Sequence, residues 1–398
     1  MDSEGPFAQD SPVRRRWTWR RQVAQPFLSE TWRVMATQPL RRPRAIAARR
    51  HAAAFLLALP SALFADDAPR GITAVAGVKV GHHTLSERPT GCTVVLVEAG
   101  AVAGVDVRGG APGTLGTDML DPVASAPKLY GVVLAGGSAF GLDAVAGAVR
   151  FLKERGIGHP TRGGKVPLVA GAILFDLGVG KADVWPTAEC GHKAAVAASD
   201  GPVAEGSVGA GAGATIGKLG SLPRAMKGGI GSAALTLPSG LTVAALVVVN
   251  AVGDVVDPTT GRIVAGARRP DRDAFADARL LVRAGTLQAP PRTAENTTLA
   301  VVATNATLTK AEAAKVAQMA HDGFARALSP VHTPSDGDTA FALATGGLPG
   351  MADVTLIGSL AAEMVADAIV RAARQATGVP GFPALRDLGP ASGSGPAR

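Results

Sequence analysis

Apolar residues in this chain fall into short unbroken runs separated by glycine-rich turns. Thr93-Val94-Val95-Leu96-Val97, Gly131-Val132-Val133-Leu134-Ala135, Leu241 to Val249 and Thr298 to Thr304 are apolar at consecutive positions. That is the pattern of strands buried on both faces. Between them the period changes. After Gly136-Gly137, the residues Leu142, Val145, Val149 and Leu152 return at helical spacing and make one face, and Gly156 suits the position after a helix end. Thr309-Lys310-Ala311-Glu312 spells a capping box, predicting a helix to about Leu328. A last helix is predicted from about Leu360 to Ala376. Strands alternating with helices predict a layered α/β (α+β) body over residues 71–378, with no internal repeat. Residues 379–398, rich in Pro, Gly and Ser, read as a loose tail.

Composition sharpens this picture in one respect. The 398 residues are 47% hydrophobic but only 4% aromatic, so the core is aliphatic, and 50 glycines imply tight turns and close backbone contacts. The net charge of +8 suggests a nucleic-acid partner until its distribution is read. Residues 1–50 carry eleven arginines against four acids, leaving 29 of the 40 basic and 28 of the 32 acidic residues for the rest. The body is close to neutral, and no nucleic-acid partner is expected.

The basic portion reads as a leader over residues 1–65. Arg41-Arg42-Pro43-Arg44 and Arg49-Arg50 precede the apolar stretch from His51 to Leu59. Small residues in Ser61-Ala62-Leu63-Phe64-Ala65 then offer a cleavage site. The apolar stretch is too short to span a bilayer. Met35 is the more usual start for such a signal, which would make residues 1–34 an extension. This reading predicts a periplasmic or secreted protein that meets a membrane only during export. The alternative is an Arg-rich tail on a cytoplasmic protein.

Candidate chemistry is best found by elimination. Gly209 to Lys218 resembles a phosphate loop, but Ala212 occupies a position that needs Gly, and Leu219 one that needs Ser or Thr. Ser138 misses the nucleophile elbow because Phe140 replaces its last glycine. The seven histidines are scattered, so neither a metal nor a cofactor is expected. Cys92 and Cys190 form no C-x-x-C pair and read as two buried thiols, with a single bridge after export as the alternative.

What remains is Asn296-Thr297-Thr298, at the mouth of an apolar run and downstream of Pro290-Pro291. Cleavage before Thr297 would give it a free α-amine beside its own hydroxyl. Such an amine has an ordinary pKa of about 7.7–8 and can serve as general base for that hydroxyl. The plainer reading is a turn that opens a strand. Asp336-Gly337-Asp338 brings two carboxylates close together, Lys218 follows a glycine-rich turn and Asn250 ends an apolar run. Each of these alone reads more simply as structural.

Seven blocks carry a resemblance that joins these residues. They are Gly71-Ile72-Thr73 through Gly81-His82-His83, Thr90 to Val95, Arg108-Gly109-Gly110-Ala111-Pro112-Gly113, Gly136 to Asp143, Val208 to Ala214, Asn250 to Asp254, and Asn296-Thr297-Thr298. In this order they resemble the P1 family of peptidases, the L-aminopeptidase/D-esterase group that includes DmpA-type and β-peptidyl aminopeptidases. The resemblance implies a four-layer αββα sandwich like that of N-terminal-nucleophile hydrolases, self-cleavage into α and β chains, and a homo-oligomer of αβ units. The Asn-Thr junction is closest to the nylon-oligomer hydrolases. By that resemblance Thr297 is the nucleophile, Lys218, Asn250, Asp336 and Asp338 complete the catalytic set, and Asn250 is the oxyanion donor. Backbone groups of Gly136, Gly137 and Ser138 are further candidates for oxyanion or substrate contacts. Thr114-Leu115-Gly116-Thr117-Asp118 departs from the family's Thr-Arg-Glu-Thr-Asp, which puts substrate class or assembly in question.

Three functions follow as expectations. The first is an aminopeptidase or amidase acting on a small peptide, amide or ester. The second is hydrolysis of ω-amino-acid oligomers. The third is a catalytically silent protein that binds small peptides.

Overall fold

The computed structural model describes residues 70–219, 221–270, 274–285 and 295–389. The leader, the Gln288–Ala294 linker and the last nine residues lie outside this set.

Eight strands carry the body: β1 (Val78–Thr84), β2 (Gly91–Val107), β3 (Leu129–Ala135), β4 (Val169–Ile173), β5 (Gly229–Thr236), β6 (Thr242–Asn250), β7 (Thr297–Ala306) and β8 (Thr339–Leu348). Four helices cover them: α1 (Ala144–Glu154), α2 (Ala188–Val196), α3 (Lys310–Ala327) and α4 (Val354–Gln375). The long β2 belongs to two sheets. Its first half pairs with β1 and β3, and β4 runs parallel beside β3. Its second half pairs with β8, which continues through β7 and β6 to β5.

Side-chain alternation explains the layers. In β7, Leu299, Val301 and Ala303 join Val132, Leu134 and Val95 in a core between the sheets. Ala300 and Val302 point the other way, into a core with Val316 and Phe324 of α3 and Val365 and Ile369 of α4. On the far side, Val94, Leu96 and Val133 meet Val145, Ala148 and Leu152 of α1 and Ala194 of α2. Helices, sheet, sheet and helices therefore stack as four layers, the αββα sandwich that the sequence implies. Strands buried on both faces leave no polar alternation to read.

Elements extend beyond their sequence signals. β2 runs ten residues past Val97, to Val107. α4 begins at Val354, capped by the Asp353 carboxylate accepting from Leu356 N–H. The residues after Gly137 form a 3-10 segment, Ser138–Asp143, before α1 begins. Two expectations need correction. Cys92 and Cys190 are joined by a disulfide that ties β2 to α2, so they are not two thiols. Residues 379–389 are not loose. Val379 and Phe382 pair through their backbones, Ala384 is buried, and the Pro383 carbonyl accepts from Lys227 N–H.

Candidate active site

The β6–β7 register sets the site. Asn250 lies directly across from Thr297, at the end of one strand and the start of the next. A slip of one residue would turn every side chain of β7 to its other face, and the two-sided core forbids it. Lys218 arrives from the glycine-rich segment behind them, and Asp336 and Asp338 from the loop leading into β8. The structure thus gathers all five predicted residues, each buried.

Thr297 is 3% exposed, and its hydroxyl donates to the carbonyl oxygen of Asn296. That oxygen also accepts from Gly337 N–H at 2.8 Å. The neighbouring Thr298 hydroxyl is buried with no partner. Of the two adjacent threonines, only Thr297 has its hydroxyl against the Asn296–Thr297 bond.

Lys218 Nζ donates to the Asn250 carbonyl at 3.0 Å, to Asn250 Oδ1 at 2.9 Å and to the Glu295 carbonyl at 3.2 Å. Burial lowers its pKa to about 7, against the opposing pull of Asp336 and Glu295. Near neutral pH it is therefore not the fixed cation that its residue type suggests. Asn250 Oδ1 also accepts from Thr215 N–H at 2.9 Å. Its Nδ2 donates to the Phe175 carbonyl at 2.9 Å and reaches the Glu295 carbonyl at 3.5 Å. In this structure the side chain expected to donate to an oxyanion is held on other carbonyls.

The two carboxylates are held differently. Asp338 Oδ1 accepts from Thr298 N–H at 2.6 Å, and Oδ2 accepts from His332 N–H at 3.0 Å and meets His332 Nδ1 at 2.9 Å. Asp336 accepts from Thr333 N–H at 2.9 Å and from the Thr333 hydroxyl. Burial and the neighbouring Asp338 raise its pKa to about 6. The loop itself is clamped by the Arg108-Gly109-Gly110-Ala111 block. Arg108 and Gly109 donate to the Asp338 carbonyl at 3.0 and 3.2 Å, and Ala111 donates to that of Asp336 at 2.8 Å. A Cβ on Gly109 would lie 2.2 Å from the Asp336 carbonyl oxygen, so only glycine fits there.

The Gly136-Gly137-Ser138 turn is placed differently from the expectation. Its N–H groups are already engaged: Gly136 with the Gly91 carbonyl at 3.0 Å, Gly137 with Asp176 Oδ1 at 2.8 Å and Ser138 with the Leu174 carbonyl at 3.0 Å. With no N–H left over, the turn offers no oxyanion donor in this structure. It serves as a brace instead. Asp176 pairs with the buried Arg88 and accepts from the Thr90 hydroxyl at 2.6 Å, fixing the Phe175 carbonyl that holds Asn250.

Sequence reading missed this Arg88–Asp176 pair because 88 residues separate its members and neither has a local signal. It also missed Lys227, whose buried Nζ donates to the carbonyls of Gly211, Ala214 and Gly228 at 2.8, 3.0 and 2.8 Å. Lys227 thereby shapes the glycine-rich segment that carries Thr215 and Lys218. Asp254 closes the Asn250 block by accepting from Ala267 and Ala278 N–H at 2.9 and 2.7 Å. Both are buried supports.

Known proteins share this sequence and frame. A sequence model described as peptidase family S58 matches residues 70–385. An uncharacterised aminopeptidase of Mycobacterium leprae is 44% identical over 347 residues, 78% of this chain and 92% of that protein. A 6-aminohexanoate-oligomer endohydrolase of Paenarthrobacter ureafaciens is 33% identical over 321 residues, 75% of this chain and 84% of its own length. Among solved structures, the L-aminopeptidase D-Ala-esterase/amidase of Ochrobactrum anthropi, described as a variant of the Ntn hydrolase fold, superposes with a TM-score of 0.57. It is 22% identical and covers 79% of this chain and 89% of its own, a likeness of fold. The family match runs through the whole sandwich and through every residue of the buried cluster, and on that ground the chain belongs to peptidase family S58, whose chemistry is the hydrolysis of amide bonds.

Proposed function

We propose that the chain cuts itself between Asn296 and Thr297 and then works as an N-terminal-threonine aminopeptidase or amidase, releasing small N-terminal residues from peptides, amides or esters. One observation carries this reading. The Thr297 hydroxyl lies on the carbonyl of the bond to be cut, inside a buried set of one amide, one lysine and two carboxylates. A turn that merely opens a strand needs none of these groups buried, and burying them is costly.

In turnover the new α-amine takes the Thr297 proton, and Oγ attacks the substrate carbonyl. Departure of Glu295 frees a hydrogen of Asn250 Nδ2 for the developing oxyanion. Removing one such donor costs about 2.7–4 kcal/mol of barrier. Lys218, whose pKa burial lowers to about 7, lies beside the amine, and its protonated form disfavours a second ammonium there, which keeps the amine available as a base. The paired carboxylates favour a substrate bearing its own ammonium group, which is the signature of an aminopeptidase.

Thr297→Ala tests the reading. The variant should fold, remain a single chain and lose hydrolysis of alanine amide and β-alanine peptides. Normal cutting in that variant would end the proposal. A second reading, cleavage of ω-amino-acid oligomers, draws on the Asn-Thr junction and the 6-aminohexanoate-oligomer relative. Faster turnover of 6-aminohexanoate dimer than of alanine amide would favour it. We also propose export through the leader and assembly as a homo-oligomer of αβ units. The Cys92–Cys190 bridge supports export, because such bridges persist in oxidising compartments.

A further inference from the structure

Self-cleavage needs a donor for the oxygen of Asn296, and turnover needs one for the oxygen of a substrate. We infer that these are two different groups: the backbone N–H of Gly337 serves self-cleavage, and Asn250 serves turnover alone. This rests on the self-cleaving reading above.

The geometry separates them. In the uncut chain the Asn296 carbonyl oxygen accepts from Gly337 N–H at 2.8 Å. Asn250 Nδ2 touches the Phe175 carbonyl and, at 3.5 Å, the carbonyl of Glu295, one residue too early. The Gly337 donor is built in. Asn296 and Asp336 form a parallel bridge, and the Ala111 N–H holds the Asp336 carbonyl from behind at 2.8 Å. Glycine at 337 brings that backbone onto the nucleophile. A Cβ there would lie 2.7 Å from Thr297 Oγ1 and 2.9 Å from the Ala111 carbonyl oxygen. Gly337 is thus more than a spacer between two aspartates.

The step balances as follows. Thr297 Oγ bonds to the Asn296 carbonyl carbon, and the carbonyl oxygen takes negative charge against Gly337 N–H. The carbon–nitrogen bond then breaks, and the hydroxyl proton ends on the nitrogen that becomes the Thr297 α-amine. Water hydrolyses the resulting ester, leaving a carboxyl on Asn296 and restoring the Thr297 hydroxyl. Only then can Glu295 and Asn296 leave, releasing Asn250 for substrate.

Two substitutions test the assignment. Replacing Gly337 by glycolic acid in cell-free translation exchanges its N–H for an ester oxygen and adds no bulk. Cutting, followed by mass over time, should slow by about 100-fold or more, the typical effect of losing one oxyanion donor. Cutting at the parent rate would overturn the inference. Asn250→Ala gives an independent reading should the ester chain misfold. Its cutting should stay within about tenfold of the parent, while alanine amide hydrolysis by the cut product falls about 100- to 1,000-fold. An Asn250→Ala chain that melts cooperatively but stays uncut would overturn it as well. If the parent chain itself is never cut, the self-cleaving reading fails instead.

Discussion

Buried charge decides most of what happens at the scale of single residues. Lys218 and Lys227 both sit in the interior, and burial lowers the pKa of each to about 7. Unfolding restores the ordinary value of 10.5. Between those values the unfolded chain binds protons that the folded chain lacks, so stability rises with pH from about 7 towards 10 and the penalty is complete below pH 7. Asp254 and Asp336, raised to about 6, act in the opposite sense, and stability falls as pH climbs from about 4 to 6. Thermal melts at pH 7, 8 and 9 should show a rising midpoint. Lys227→Met should reduce that rise, and should also cost about 1–3 kcal/mol or more at neutral pH by stranding three carbonyls. An unchanged slope would mean that Lys227 stays charged when folded. The five clustered residues were legible in sequence through the family resemblance that joins them, since each alone reads more simply as structural. Gly337, Asp176 and Lys227 were not, since a glycine donor and buried supports differ from ordinary residues only by position in space.

Elements bring those residues together, and their interiors read more clearly than their ends. β7 and β6 were visible as apolar runs because both faces are buried. α3 was visible because Thr309 and Glu312 cap each other locally. The start of α4 was hidden, because Thr355, Gly358 and Ser359 interrupt its apolar periodicity and Asp353 supplies the only signal. The passage of β2 from one set of partners to the other, at the register break between Leu96 and Ala101, is marked in sequence only by Gly100, and it depends on partners far along the chain. The same holds for the Cys92–Cys190 bridge, whose 98-residue separation left two thiols the plainer reading. That bridge anchors α2 to the start of β2, next to Thr90, whose hydroxyl donates to Asp176. Cys190→Ala should therefore lower stability by about 2–4 kcal/mol, the usual effect of closing a long loop, read from urea unfolding with and without reductant. Equal stability of the oxidised and reduced forms would show that the bridge carries no such load.

At the scale of the whole molecule, the proposed cut site between Asn296 and Thr297 lies inside the fold. β7 begins at Thr297, yet its neighbours β6 and β8 come from opposite sides of that proposed cut. If the proposed cut occurs, the C-terminal piece would carry β7 and β8, which fill the place between β6 and β2, so the two pieces would stay associated through a shared core. The family resemblance made the four layers legible in advance. The central claim is that this chain makes its own nucleophile. The most direct test is to express it from Met35 and take an intact mass under denaturing conditions, beside gel filtration under native ones. The account predicts a fragment of 102 residues, Thr297 to Arg398, that elutes with its partner until denatured. A single uncut chain that nonetheless hydrolyses alanine amide would contradict it.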